Sequence, residues 1–136
     1  MPNKINLDIG ELVYAFQDYS GGENFLDTKT GEIIHISEFM DEEEKEKISV
    51  QIESEPKRYL LIPSEDSAES YNDMLDFAAT LNNEDLKEKL SFVLKGKSVF
   101  RRFKDVLPNY PDERNMWFSF KEGRTKERVN EWLEEN

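Results

Sequence analysis

Residues 95–104 read Lys-Gly-Lys-Ser-Val-Phe-Arg-Arg-Phe-Lys, five cations and two phenylalanines within ten positions. Guanidinium forks suit bidentate contact with carboxylate or phosphate. Arg101 and Arg102, with Lys104 and Asp105 beside them, are therefore the candidate residues for an anionic small ligand or an acidic protein partner. Ser98 reads as the N-cap of the helix that carries them, so free amides and the helix dipole would add to the same attraction. Trp117 and Phe120 are the candidate aromatic support, since indole and phenyl faces commonly wall a pocket or fill a core. The competing internal reading pairs the two arginines with the acidic stretch at 65–85. A second alternative is nucleic-acid binding through 87–104, where bases and aromatics interleave.

Other chemistries fare less well. Gly96-Lys97-Ser98 imitates the end of a phosphate-binding loop, but the glycine required five positions earlier is Ser91 and the preceding residues look helical. His35 is the sole histidine and sits in an Ile-rich strand pattern; with no cysteine, a zinc site would need carboxylates for its remaining ligands. Asp27-Thr28-Lys29-Thr30-Gly31-Glu32 has Lys29 and Gly31 where a calcium loop needs oxygen donors, so it reads as a hairpin turn. No Gly-x-Ser-x-Gly elbow occurs. An enzyme would have to use a carboxylate or Ser/Thr site that the sequence does not display; neither metal nor cofactor is expected.

The elements that position these residues follow from spacing. Asp8 can cap a helix over Ile9 to Asp18, with Leu12, Val13 and Phe16 inward. Two β-prone runs around Gly31 predict a hairpin, and Arg58 to Ile62, stopped by Pro63, predicts a third strand. Ser37 can cap a short acidic helix through Asp41–Glu46, while the alternation from Ile48 to Glu53 suits a strand or an extended linker. Asp66-Ser67-Ala68-Glu69 fits a capping box before Tyr71, Met74, Leu75 and Ala78. Asn83 caps the next helix, with Leu86, Leu90, Val93 and Leu94 on its apolar face and Gly96 as its stop. Ser98 opens another, in which Phe100, Phe103 and Leu107 take the buried face. Pro111 opens a last segment, one helix or two depending on Gly123. The sum is an α+β domain: a small antiparallel sheet, a hairpin plus a third strand, with an N-terminal helix and a C-terminal half of four to five helices. No repeat or linker divides it, so residues 1–136 read as a single domain.

The charge is lopsided. Of 136 residues, 30 are acidic and 18 basic, a net charge of −12. Residues 1–56 carry a net of −10, whereas 87–104 carry seven bases against the single acid Glu88. That pattern gives a charge dipole rather than a uniform coat and opposes long-range attraction of nucleic acid. Aromatics at 12% argue for a folded chain despite 35% charged residues. No apolar run reaches the length of a membrane span and no signal-peptide core follows Met1, which predicts a cytoplasmic protein without membrane partners.

The strings Phe25-Leu26-Asp27 with Thr30-Gly31-Glu32, Tyr59-Leu60-Leu61-Ile62-Pro63, Phe100-Arg101-Arg102-Phe103-Lys104-Asp105-Val106-Leu107, Trp117-Phe118-Ser119-Phe120 and Trp132-Leu133 together resemble a family of small bacterial proteins of unknown function. The Phe-Arg-Arg-Phe-Lys-Asp string is the most specific of them. The resemblance implies a bacterial source and a shared fold, and brings no activity, substrate or catalytic set. The expectation is a non-enzymatic binding or regulatory module. Trp117 and Trp132 are equally compatible with a homodimer seam and with burial in a core.

Overall fold

The computed structural model describes residues 7–136. Its elements run α1 (Ile9–Phe16), β1 (Glu23–Asp27), β2 (Ile33–Ile36), α2 (Glu42–Ser54), β3 (Tyr59–Ile62), α3 (Ser67–Thr80), α4 (Glu84–Leu94), α5 (Val99–Val106), a 3₁₀ turn (Leu107–Asn109) and α6 (Pro111–Glu135). This is the α+β architecture expected, and its chain divides into two compact units. One comprises the residues up to Ser64 together with Thr125–Asn136; the other is Glu65–Arg124.

In the first unit, the Asp8 carboxylate accepts the Glu11 amide at 3.1 Å and starts α1, which turns Leu12, Val13, Ala15 and Phe16 inward. The helix stops at Phe16, two residues short of the expected end. The sheet order is β2-β1-β3, antiparallel throughout, with Asn24 opposite His35 and Leu26 opposite both Ile33 and Leu60. Gly31 at φ +83° supplies the left-handed residue that the hairpin needs. Arg58, just before β3, forks onto Asp27 with two 2.8 Å bonds. That fork, together with the Lys29 amide, holds the Asp27 carboxyl well below the usual carboxylate range. The core joins Leu12, Phe16, Leu26 and Ile62 to Val129, and Trp132 meets Phe16 edge-on at 5.9 Å.

Two expectations here need correction. Glu42–Ser54 is one helix, not a short acidic helix followed by a strand or linker. Its cap is Asp41, whose carboxylate accepts the Glu44 amide at 2.8 Å, whereas Ser37 accepts from Phe39 in the preceding turn. Three glutamates in the first turn favour the helix N-terminus, and Ile48 and Ile52, four residues apart, are both half-buried.

In the second unit, the capping box of α3 is present in both directions: Glu69 N to Asp66 Oδ1 at 2.7 Å and Asp66 N to Glu69 Oε1 at 3.1 Å. Asn83 caps α4 through the Leu86 amide. Met74, Phe77, Leu86, Leu90, Val93, Phe103, Leu107 and Trp117 form the core, with Phe103 and Phe77 4.9 and 5.3 Å from the Trp117 ring. Tyr71 donates its hydroxyl to the Leu94 carbonyl at 2.7 Å, tying α3 to the end of α4. The segment from Pro111 is a single helix of 25 residues, and Gly123 does not interrupt it. Nothing lies within 4 Å of where a Gly123 side chain would begin, so the glycine costs the helix its propensity, about 1 kcal/mol, and no packing.

Candidate anion-binding face

The helices α4 and α5 are joined by Lys95–Ser98, and this turn sets the geometry of the basic segment. Ser98 occupies the N-cap position but at φ +54°, and its hydroxyl makes no capping bond. The expected serine cap is therefore absent: the chain reverses between two helices in four residues and puts Ser98 into left-handed backbone, which turns the hydroxyl away from the amides that it would serve. Gly96 has its own steric reason, because a Cβ there would lie 2.8 Å from Arg102 Nη1. The missing side chain leaves the guanidinium its place.

The phase of α5 is the one its sequence implies. Phe103 is completely buried and Leu107 nearly so, anchoring the helix on Trp117, while Arg101, Lys104 and Asp105 are exposed and Arg102 is half-buried. The Phe100 ring is partly exposed rather than buried. The Arg102 guanidinium lies 5.5 Å from the centroid of Phe92, an α4 ring that is itself 69% exposed. Stacking of this kind fixes a guanidinium in place while leaving its N–H groups available. Trp117 and Phe120 do not line this surface. Trp117 is a core residue, and Phe120 packs between Phe77 and Trp117 with Arg124 4.9 Å over its face. Trp117 supports α5 from beneath through Phe103.

The acidic stretch at 65–85 is paired, but not with Arg101 or Arg102. Lys121 Nζ lies 2.7 Å from Asp73 and 3.2 Å from Glu65, and Arg124 lies 2.6 Å from Asp76 and 3.7 Å from Asp73. The Glu65 and Asp73 side chains have no solvent exposure at all. At the other end of the stretch, Asp85 accepts from the Tyr110 hydroxyl and pairs with Lys89 at 3.3 Å; these two contacts lower its carboxyl. Among the described residues Arg101, Arg102 and Lys104 make no ion pair. Lys121 and Arg124 were missed by sequence reasoning although a signal existed. Asp73 and Asp76 are three apart on α3, and Lys121 and Arg124 are three apart on α6, so two matched charge ladders face each other.

Among the described residues no group of three or more His, Asp or Glu side chains is placed to hold a metal ion, and no helix is long and apolar enough to cross a membrane.

The family model described as "Uncharacterised protein family (UPF0158)" matches residues 3–136. The chain belongs to that family. A UPF0158 protein of Pseudomonas aeruginosa is 30% identical over 132 residues, covering 97% of this chain and 84% of that relative. UPF0158 proteins of Chlamydia pneumoniae and Chlamydia trachomatis are 30% and 29% identical over 140 residues, 98% of this chain but 42% and 41% of theirs. The UPF0158 sequence described here thus spans less than half the length of its chlamydial relatives. No solved structure matches it.

Proposed function

We propose that this UPF0158 member is a binding module whose α4–α5 face, centred on Arg101, Arg102 and Lys104, docks the carboxylates of an acidic partner or a small anion. One observation carries the reading. Lys121 and Arg124 pair with Glu65, Asp73 and Asp76, and among the described residues Arg101, Arg102 and Lys104 make no ion pair. The Arg102 guanidinium held over Phe92 is itself a fork suited to carboxylate or phosphate oxygens, and the exposed Arg101 and Lys104 add positive charge on the same helix. The partly exposed Phe92 and Phe100 next to these cations favour a second reading, in which bases of single-stranded nucleic acid stack on the rings.

The test is amide chemical-shift titration at low salt with three probes: a hexaglutamate peptide, inorganic phosphate and a short single-stranded oligonucleotide. The expected result is saturable movement confined to residues 92–105 with the peptide, weakened about tenfold or more in Arg101→Ala/Arg102→Ala and falling with added salt. Tighter binding of the oligonucleotide than of the peptide selects the second reading. Movement with none of the probes, or movement indifferent to the double variant, overturns both.

A further inference from the structure

A second candidate lies in the first unit and owes nothing to the basic face. An open cleft of about 750 Å³ is bounded by α1, by the Asp18–Ser20 turn and by the paired residues Asn24 and His35. Its polar groups are ordered by elimination. Asp18 can only accept hydrogen bonds, so the Asn24 amide must turn its NH₂ toward Asp18 Oδ2, 3.0 Å away. That leaves Asn24 Oδ1, also only an acceptor, 2.8 Å from His35 Nδ1, which must therefore carry the ring proton. In the neutral ring Nε2 is then a lone-pair acceptor, and among the described residues it has no partner. Asn24, the middle of this chain, is 8% exposed, while the His35 side chain is 42% exposed. Gly22 helps to seat the ring, since a Cβ there would come within 3.1 Å of His35 Cε1.

The rest of the lining has one polarity. Asp8 and Glu11 at the start of α1 add carboxylates, Tyr14, Ala15 and Ile33 add apolar wall, and among the described residues no lysine or arginine lines it. Carboxylates alone would attract any counter-ion. An imidazole locked in one tautomer with its free nitrogen unpartnered asks for an N–H or O–H donor as well. We propose that this cleft is a binding site for a small organic cation, an amine or amidine that donates to His35 Nε2 and brings its positive charge among Asp18, Asp8 and Glu11. Its carbon skeleton lies along Tyr14. Asp18 keeps its charge well into acid, because the Ser20 hydroxyl, the Asn24 amide and the Ser20 backbone amide all donate to it.

His35 is the only histidine, so its imidazole signals report this cleft alone. The experiment is titration of the whole protein with agmatine near pH 8. Sodium chloride at equal ionic strength is the control, read through the His35 ring and the amides of Gly10 and Ala15. Saturable movement of these signals with agmatine but not with salt is expected. So is an affinity at least about fivefold weaker in Asp8→Asn/Glu11→Gln, in which asparagine preserves the helix cap. His35→Phe, which keeps a ring and loses the acceptor, weakens binding to a similar degree as read from the amides. A linear response equal to that of sodium chloride overturns the proposal. So does binding that saturates without moving the His35 ring, or that is unchanged in either variant.

Discussion

Replacing Lys121 with Met tests the charge accounting on which the anion-binding face rests. Methionine keeps much of the lysine stem and removes the ammonium. In the structure that ammonium stands 2.7 Å from Asp73 and 3.2 Å from Glu65, with 16% of the lysine side chain exposed and neither carboxylate reaching solvent. At an effective dielectric of about 20 the two attractions amount to roughly 6 and 5 kcal/mol before desolvation. The cost of burying three charges cancels most of that gain, which is why such a pair adds little net stability while intact. Removing one partner is different, because both carboxylates stay buried with one counter-charge fewer; breaking a buried pair costs about 3–5 kcal/mol. Arg124, 3.7 Å from Asp73, remains and places the expected loss near the lower figure. Urea unfolding followed by Trp117 in a Trp132→Phe background reads the Glu65–Arg124 unit, with an unchanged m-value showing that the same surface is exposed. Arg101→Ala/Arg102→Ala measured alongside should cost no more than about 0.5 kcal/mol, as surface changes do. A Lys121→Met loss below about 1 kcal/mol would refute the reasoning: the buried acids would then not depend on Lys121, and its pairing would say nothing about which cations are left over.

Ser98→Gly should raise stability by up to about 1 kcal/mol and move the melting temperature upward, since glycine relieves the φ +54° backbone and no capping bond is lost; a fall in the melting temperature would contradict this. A carbon-detected NMR titration should find the Asp18 carboxyl lowered from 3.8 to about 2, and Ser20→Ala should bring its midpoint back toward the ordinary value. Because the folded value is depressed, the stability that Asp18 contributes is complete above the unfolded value near 4 and is lost as pH falls toward 2, so Ser20→Ala should also flatten the acid limb of the stability profile.

Features fixed by neighbours in sequence were legible. Asp8, Asp66 and Asn83 cap the helices they were expected to cap, because a cap depends on three or four consecutive residues. The outward phase of Arg101 and Lys104 followed from the spacing of Phe103 and Leu107. Ile48-Ser49-Val50-Gln51-Ile52 was ambiguous because Ile48 and Ile52 satisfy both a two-residue and a four-residue period; the Asp41 cap and the glutamates after it decided for helix. Ser98 misled because a serine before an apolar run is a cap signal only where the chain enters extended, and here the turn from α4 forbids that. The partners of the acidic stretch were hidden for another reason. Asp73 and Lys121 are 48 residues apart, as are Asp76 and Arg124, and no local pattern says which cations a fold will bring to a given carboxylate. Trp117 was open to two readings for the same reason: burial against Phe77 and Phe103 is a property of the assembled unit.

The helix Glu42–Ser54 contains no buried residue. Its side chains reach the rest of the unit through Lys45, which donates to the Glu38 carbonyl at 2.9 Å, through Gln51, which donates to the Tyr59 hydroxyl at 3.0 Å, and through the half-buried Ile48 and Ile52. A segment so lightly held opens at a free-energy cost far below that of global unfolding. Its amides should lose their deuterium-exchange protection well before those of β1. Under brief trypsin treatment the first nick should fall after Lys45 or Lys47, because the protease samples the opened helix while the strands on either side of it remain closed.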